Sequence, residues 1–405
     1  MENGDELPED EGVGDEELFE VIERDEGFEE EDGLAMGLED VEIGDNDSGE
    51  GDADAETVDD SLLTFDKHTA SVFSVAIDPA NNTHVVSGGE DDKAYVWKIS
   101  DGQVAFNCPG HKDSVTCTAF SHDSKFVSTG DMSGLVKVWE LESAQEVWNF
   151  ECADLEWLDW HHSAHVLLAG TADGNVWMWK IPSGETKTFQ GHGCRSTCGM
   201  FMKDGIRACV GYEDGSVKVW DVKKGTPAFH LSDGTSHEGS VTCIGCHKDG
   251  NLIATGAEDS KSKIINSTTG KVLVTLDAGF PDPREENPPS IEAVTFSDSL
   301  PIIATASLSG VLGLWDLTTY RLRQQCKHPA SIVRLKWDPT SSILYSCCLD
   351  GVVRVWDIRS GNCEREWLGH RSEILDLAIS RNGTKIVTGS GDSTAKVFNV
   401  TIPGR

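Results

Sequence analysis

The chain has 405 residues, and 70 Asp and Glu against 33 Lys and Arg give it a net charge of −37. A net negative chain repels phosphate and attracts basic proteins, and the sequence lacks the basic stripe that usually marks nucleic-acid binding. It also lacks an apolar run approaching the roughly 18 residues of a membrane helix, so we expect neither direct nucleic-acid binding nor a membrane span.

Residues 1–61 form an acidic tail. Residues 1–60 hold 28 Asp and Glu and one Arg, a net of −27, which leaves −10 of the total −37 for the other residues. Such a segment cannot bury enough apolar surface to offset its ordering entropy, so we predict that it is disordered. Within it, residues 16–22 are either a chance acidic and apolar cluster or a short partner-binding segment. Residues 1–5 lack the basic and apolar regions of a signal peptide.

A repeating unit follows the tail. Each unit has a turn and then a short alternating run that ends on an anchor, and the anchors are Trp97, Trp139, Trp179, Trp220, Ile265, Trp315, Trp356 and Phe398. Their separations, by subtraction, are 42, 40, 41, 45, 50, 41 and 42 residues. A period of about 40–45 residues is typical of the WD40 β-propeller, which has four strands per blade. We therefore predict an all-β, eight-bladed propeller over residues 62–405.

The ends of the repeat array predict how the ring closes. Residues 62–66 precede the first complete repeat, and the last repeat stops soon after its anchor without a fourth strand. We predict that residues 62–66 supply the outer strand of the eighth blade, which removes an open junction. In blade two the predicted strands are 115–120, 125–130, 135–141 and 145–150.

Blade five and the loop after it depart from the pattern. The third strand of this blade, residues 262–267, places Ile265 where the other blades have an aromatic residue. The following segment, residues 277–290, contains four prolines and is longer than the other connections. A proline-rich loop of this length is either functional or simply tolerated, and the sequence leaves both alternatives open.

A His, a hydroxyl residue and an Asp recur at fixed distances from the anchor. The sets with a tryptophan are His68, Ser87, Asp91 and Trp97 in blade one, and His328, Ser346, Asp350 and Trp356 in blade seven. A hydrolytic triad is needed once, whereas this set returns in several blades. We interpret it as a buried hydrogen-bond chain from Asp through His and the hydroxyl to the indole N–H, and we predict no catalytic residues.

The cysteines predict neither a metal site nor a disulfide framework. Twelve Cys are scattered along the chain, several at strand positions, as expected for small buried side chains in a reducing compartment. The pairs Cys243 with Cys246 and Cys194 with Cys198 have no second ligand pair at a zinc spacing. We expect no metal and no cofactor. We place the chain in the cytoplasm, with the nucleus as a further location that the sequence leaves open.

Short strings carry a family resemblance. Gly-His pairs such as 110–111 and Trp-Asp pairs such as 356–357 make the chain similar to WD40 proteins. The strings 154–161 and 177–182 and the acidic tail resemble the angio-associated migratory cell protein family. The resemblance implies a cytosolic propeller without enzymatic activity. It also implies relatives that include a dedicated chaperone for a basic large-subunit ribosomal protein, and members associated with cell migration and signalling.

Acidic residues recur where one rim of the propeller is expected. The predicted rim carboxylates are Glu90, Asp154, Glu156, Glu213, Glu258, Glu292 and Glu373, and Arg195 is the one basic residue in these positions. Seven carboxylates around one opening focus a negative potential. Phe73 and Trp157 lie among them and are predicted to stack on Arg guanidinium groups. The alternative is that exposed loops of an acidic domain are acidic without having a ligand.

The residues and the resemblance together lead to one functional hypothesis. We expect a monomeric, non-enzymatic module that binds an Arg- and Lys-rich segment of a ribosomal protein at this rim, as a chaperone during ribosome assembly. The alternative hypothesis is a scaffold for signalling or cell-migration complexes, which would use the sides of the propeller and the loop 277–290.

Overall fold

The computed structural model describes residues 58–232, 234–280 and 289–400. The acidic tail up to residue 57, including the island 16–22, therefore lies outside the described residues, as does most of the proline-rich loop 277–290. All secondary structure elements of the described residues are β-strands, 32 in number. This part of the chain contains no helix with the length and apolar character needed to cross a membrane.

The strands lie in eight antiparallel sheets of four. The first sixteen are β1 (Leu63–Phe65), β2 (Val72–Ile77), β3 (His84–Gly89), β4 (Ala94–Lys98), β5 (Val104–Asn107), β6 (Val115–Phe120), β7 (Phe126–Asp131), β8 (Leu135–Glu140), β9 (Gln145–Glu151), β10 (Leu155–Trp160), β11 (Val166–Thr171), β12 (Val176–Lys180), β13 (Glu185–Phe189), β14 (Ser196–Phe201), β15 (Arg207–Tyr212) and β16 (Val217–Asp221). The other sixteen are β17 (Thr226–Leu231), β18 (Val241–Cys246), β19 (Leu252–Ala257), β20 (Lys261–Asn266), β21 (Val272–Asp277), β22 (Ile291–Phe296), β23 (Ile302–Ser307), β24 (Val311–Asp316), β25 (Leu322–Lys327), β26 (Ile332–Trp337), β27 (Ile343–Cys348), β28 (Val353–Asp357), β29 (Asn362–Trp367), β30 (Ile374–Ile379), β31 (Lys385–Ser390) and β32 (Ala395–Asn399).

The sheets are the blades of a closed ring. Blade one is β2–β5, and each further blade takes the next four strands up to β26–β29 in blade seven. The first strands of neighbouring blades contact one another all the way round, from β2 against β6 to β26 against β30 and then β30 against β2. The predicted all-β, eight-bladed propeller is therefore confirmed, and the four strands of blade two lie within one residue of their predicted bounds.

The eighth blade contains strands from both ends of the described chain. Its order is β1-β32-β31-β30, so β1 is the outer strand, at the position that the sequence gives to residues 62–66. Leu63 pairs with Val397 and Phe65 with Ala395. Phe65 is 2% exposed and stacks on Trp97 of blade one, with ring centroids 4.6 Å apart. The closing strand thus packs into the interface between the last blade and the first.

The core consists of eight apolar clusters, one in each interface between neighbouring blades. The second and third strands are buried on both faces and read as apolar runs, such as Val166 to Ala169 at 0% exposure. The outer strands are mostly exposed, since only one of their faces packs against a neighbour. Ile265, which replaces the aromatic anchor in blade five, is fully buried in the interface with blade four.

Candidate functional site

One hydrogen bond repeats in all eight blades and defines an edge of the ring. The residue that follows the second strand donates its backbone N–H to the carbonyl of the residue that precedes the first strand, at 2.9–3.0 Å. The donors, from blade one to blade eight, are Glu90, Met132, Ala172, Glu213, Glu258, Leu308, Leu349 and Gly391. The acceptors, in the same order, are Ser71, Ser114, Asp154, Arg195, Ser240, Ser290, Ser331 and Glu373.

A β-bulge at the start of each first strand adds a third residue per blade to this edge. The register shifts around the second residue of the strand, so that this residue has no partner on the second strand. The bulged residues are Phe73, Thr116, Glu156, Thr197, Thr242, Glu292, Val333 and Leu375. We call these 24 residues, three from each blade, the upper rim.

The structure places all seven predicted carboxylates in the upper rim. Three are donor residues, two are acceptor residues and two are bulged residues, and Arg195 is the one basic residue among the 24. The net charge of the upper rim is therefore −6, by subtraction of one from seven. Five of the acids lie in consecutive blades, three to six, and the other two lie in blades eight and one. The fold thus places on one edge residues that are up to 283 positions apart in the sequence, as Glu90 and Glu373 are.

The seven carboxylates differ in how free they are. Glu213 and Glu258 are exposed, and no ion pair of the described residues involves either of them. Glu156, by contrast, pairs with Arg195 at 2.6 Å between Oε1 and Nε. Glu373 accepts a hydrogen bond from the Ser372 hydroxyl, which lowers the pKa of this carboxyl and keeps it ionised. Glu213 and Glu258 therefore offer charge that no cation of the described residues neutralises.

A pocket of about 260 Å³ opens on the upper rim between blades two and three. Its lining combines three acids with one guanidinium and with apolar and polar neighbours: Asp113, Thr116, Met132, Asp154, Leu155, Glu156 and Arg195. Met132 is 48% exposed, so its thioether chain forms an apolar wall beside the carboxylates. This combination suits the aliphatic stem and charged end of a Lys or Arg side chain. Asp113 and Met132 were not predicted from the sequence. Asp113 lies outside the positions at which acids recur in the other blades, and Met132 occupies such a position but is not acidic.

The predicted role of Trp157 is wrong. Trp157 is 8% exposed and packs between blades three and four, where a Cβ on Gly170 or Gly199 would lie only 2.2 Å from its ring. The bulge at Glu156 is the reason, since it places Glu156 at the opening and Trp157 in the interface. Trp157 therefore does not stack on a ligand. Phe73 is itself a bulged residue and is half-buried at the rim.

The recurrent His sets are hydrogen-bond chains beneath the rim. In blade one, His68 contacts Asp91 and Ser87 at 2.9 Å each, and Trp97 donates to the Ser87 hydroxyl at 3.2 Å. Burial lowers the pKa of His68 although Asp91 opposes this, which favours the neutral imidazole. His68 and Ser87 are buried in the body of the blade, so the set stabilises the fold and offers no nucleophile to solvent.

Blade seven corrects the predicted set. His328 contacts Ser346 at 2.8 Å and Trp356 donates to the same hydroxyl at 3.0 Å, but Asp350 does not bond to His328. Asp350 instead accepts two hydrogen bonds from Arg354, whose side chain is 6% exposed. Burial and the nearby Arg354 guanidinium lower the pKa of His328 to about 4. A buried guanidinium therefore competes successfully with the imidazole for the carboxylate.

Blade two contains a complete set that the sequence template missed. His111 contacts Thr129 at 2.8 Å and Asp131 at 3.0 Å, and Trp139 donates to the Thr129 hydroxyl at 3.1 Å. The Asp lies eight residues before the anchor in this blade, whereas the template requires six. Thr129, ten residues before its Trp, and the Gly-His pair before it are the signals that could have identified the set.

The cysteines remain single thiols. All twelve are free, and most are buried or half-buried. Burial raises the pKa of Cys117, Cys198 and Cys246 to about 12, so these thiols stay protonated. Of the pairs considered above, Cys194 is the residue that comes near other metal-type ligands in the described chain, with His192 and Asp214. His192 already contacts Asp214 at 2.8 Å, as His68 contacts Asp91 in blade one and His111 contacts Asp131 in blade two.

Comparison with known proteins places this arrangement among propellers. The WD domain, G-beta repeat family matches residues 59–98, 102–140, 183–221, 230–266, 320–357 and 361–399. The angio-associated migratory cell protein of Homo sapiens is 47% identical over 412 residues, which cover 97% of this chain and 95% of that protein.

Two further similarities are to Sqt1 proteins. The ribosome assembly protein SQT1 of Saccharomyces cerevisiae is 24% identical over 380 residues, covering 84% of this chain and 86% of that protein. The crystal structure of Chaetomium thermophilum Sqt1 bound to the N-terminus of the ribosomal protein L10 is similar with a TM-score of 0.77. Its sequence identity is 26%, with 85% of this chain and 100% of that chain covered.

Proposed function

Because the chain belongs to the WD40 repeat family and, within it, to the angio-associated migratory cell protein family, we propose that it is a dedicated chaperone for a basic ribosomal protein. The propeller is a binding module, and its neighbours in structure include a protein bound to a ribosomal protein N-terminus. The client is a large-subunit ribosomal protein, bound through an Arg- and Lys-rich segment during ribosome assembly.

The observation that carries the proposal is the charge of the upper rim. Seven carboxylates against one guanidinium surround a single opening, and Glu213 and Glu258 form no ion pair with any of the described residues. Carboxylates on the walls of one opening focus the potential, which raises the association rate of a basic segment. The pocket formed by Met132, Asp113 and Asp154 then accepts one basic side chain.

The mechanism requires no covalent step. A basic ribosomal segment that would otherwise bind RNA or aggregate has its charge neutralised at the rim and is sterically protected there. Release follows when a stronger anionic partner, such as ribosomal RNA, competes for the same Arg and Lys side chains. The twelve free thiols suit a reducing compartment, which supports the cytoplasm as the place where the client is held.

The test is charge reversal at the rim. We expect Glu213→Lys combined with Glu258→Lys to weaken binding of the L10 N-terminal peptide about 30-fold, since each reversal costs roughly 1 kcal/mol. Isothermal titration at two salt concentrations measures the affinity, and the wild-type affinity falls with salt. The matched control is Glu185→Lys combined with Glu364→Lys, which makes the same charge change on exposed positions of the outer strands. Equal affinity of the rim variant and the wild type would refute the proposal.

A scaffold for signalling or cell-migration complexes is the second candidate. The 47% identity to the angio-associated migratory cell protein favours it, because that protein is named for migration and not for ribosome assembly. Affinity capture with the rim variant separates the two candidates. A chaperone loses its ribosomal client on reversal of Glu213 and Glu258, whereas a scaffold that uses the sides of the propeller keeps its partners.

A further inference from the structure

The upper rim also carries an apolar sector, which consists of Leu308, Val333, Leu349, Leu375 and Phe73. Leu308 and Leu349 take, in blades six and seven, the donor position that Glu213 and Glu258 take in blades four and five. Both leucines are 43% exposed. Val333, Leu375 and Phe73 are the bulged residues of blades seven, eight and one, and all three are partly exposed. The five residues therefore lie in four consecutive blades.

One serine forms hydrogen bonds with the backbone of both exposed leucines. Ser331 accepts the backbone N–H of Leu349 at 3.0 Å, and its hydroxyl donates to the carbonyl of Leu308 at 2.6 Å. Ser331 also lies two residues before Val333 in the chain. A single residue thus connects the donor positions of blades six and seven. Leu308 and Leu349 therefore lie on the same part of the upper rim, next to the bulge of blade seven.

The fold does not require these apolar residues. Glu, Met, Ala and Gly occupy the same donor position in other blades with the same backbone hydrogen bond, so the turn does not require a leucine. Nor do the leucines complete a core, because two-fifths of each remains in water. Blade seven is also without an acid among its three upper-rim residues, Ser331, Val333 and Leu349. Exposed apolar side chains grouped at an opening are typical of a surface that a partner covers.

We propose that the apolar sector binds an apolar or aromatic side chain of the same extended segment whose basic residues lie on the acidic blades three to six. This inference rests on the proposed function and adds a second element to the client. The client segment has a basic cluster and, within a few residues of it, a large apolar side chain. Charge attracts the segment, and the apolar contact fixes which end lies over blade seven, because this blade has no carboxylate of its own among its upper-rim residues.

The test uses two probes and two double variants of the full chain. The probes are the N-terminal peptide of ribosomal protein L10 and the same peptide with every large apolar and aromatic residue replaced by Ser. The leucine variant is Leu308→Ser combined with Leu349→Ser. The matched control is Leu273→Ser combined with Leu322→Ser, on the outer strands β21 and β25, where the leucines are 38% and 40% exposed.

We expect the leucine variant to bind the native peptide about tenfold more weakly than the wild type, a loss of ~1.4 kcal/mol in binding free energy. Its affinity for the Ser peptide should equal that of the wild type, and the control should match the wild type with both probes. Equal affinity of the wild type for the two peptides would overturn the inference. So would a loss of the same size with both peptides, since the leucines would then act through the fold. The single variant Leu349→Ser repeats the comparison with less perturbation.

The charge variant separates this inference from the proposal beneath it. If reversal of Glu213 and Glu258 weakens both peptides while the leucine variant weakens neither, the client binds by charge alone and the apolar sector has no role. If the charge reversal leaves both peptides unaffected, the proposed function itself fails.

Discussion

The buried hydroxyl of Thr129 forms hydrogen bonds with two side-chain nitrogens that have no other partner in the described chain. Thr129 is fully buried and lies 2.8 Å from His111 Nε2, and Trp139 Nε1 donates to it at 3.1 Å. Because Asp131 accepts from His111 Nδ1, the Nε2 atom is the acceptor and the hydroxyl donates to it. Thr129→Val keeps the volume but leaves one buried donor and one buried acceptor unpaired.

The magnitude follows from these two groups. An unsatisfied buried polar group costs about 1–3 kcal/mol, so with two such groups we expect Thr129→Val to lower the free energy of unfolding by about 2–6 kcal/mol. Thr129→Ser keeps the hydroxyl and removes one buried methyl, at a cost of about 1 kcal/mol. The valine variant should therefore be the less stable of the two, although it is closer to threonine in size.

Urea unfolding followed by tryptophan fluorescence measures the difference. Thr275→Val, at an exposed position of β21, is the matched control and should leave stability unchanged. The reasoning is refuted if the valine variant at position 129 is as stable as the serine variant. That result would mean that volume, and not the hydrogen-bond chain, decides stability at this position.

Two further predictions concern Asp159 and Gly199. Burial raises the pKa of Asp159 from 3.8 to about 6, because it disfavours the ionised carboxylate. The protonated carboxyl therefore stabilises the fold at low pH, and this stabilisation is lost as the pH rises from about 4 to above 6. The free energy of unfolding of Asp159→Asn, measured with urea, should therefore rise by about 2 kcal/mol relative to that of the wild type between pH 4 and pH 7. A stability difference between the two proteins that does not change with pH would contradict this. A Cβ on Gly199 would lie 2.2 Å from the ring of Trp157, so Gly199→Ala should cost about 1–3 kcal/mol in thermal unfolding. Combining it with Trp157→Phe should recover part of that loss, and strict additivity of the two would show that they do not share this space.

The rim proposals have a common physical basis in the position of one residue per turn. The donor residue of each blade is fixed by its backbone hydrogen bond, and its side chain is free to vary. The chain can therefore place Glu on one part of the ring and Leu on another without a change in fold. Both proposals therefore assign specificity to the upper rim, while the His sets and the interface clusters beneath it stabilise the blades.

The sequence by itself determined the architecture and the ring of acids. The anchor spacing of 40–50 residues identified eight blades, since each unit has to bury the same pattern against its neighbour. The offsets from the anchors placed all seven carboxylates on one edge, because the register of a strand fixes which residues follow it. Even the substitution of Ile265 did not obscure the pattern, as a buried aliphatic side chain fills the same interface.

Only the tertiary structure decided which cation binds each Asp of the His sets, and which of two consecutive residues at a bulge faces solvent. Asp350 has the required spacing, yet Arg354 binds it, whereas Asp131 lacks the spacing and still reaches His111. Glu156 and Trp157 are consecutive, and the bulge sends one to the opening and the other into the core. A one-residue shift in register exchanges the two faces of a strand. An arginine four residues along the chain can bind the carboxylate that a histidine binds in another blade, as Arg354 binds Asp350. Spacing along the chain fixes neither outcome, because both depend on the packing of the neighbouring strands and blades.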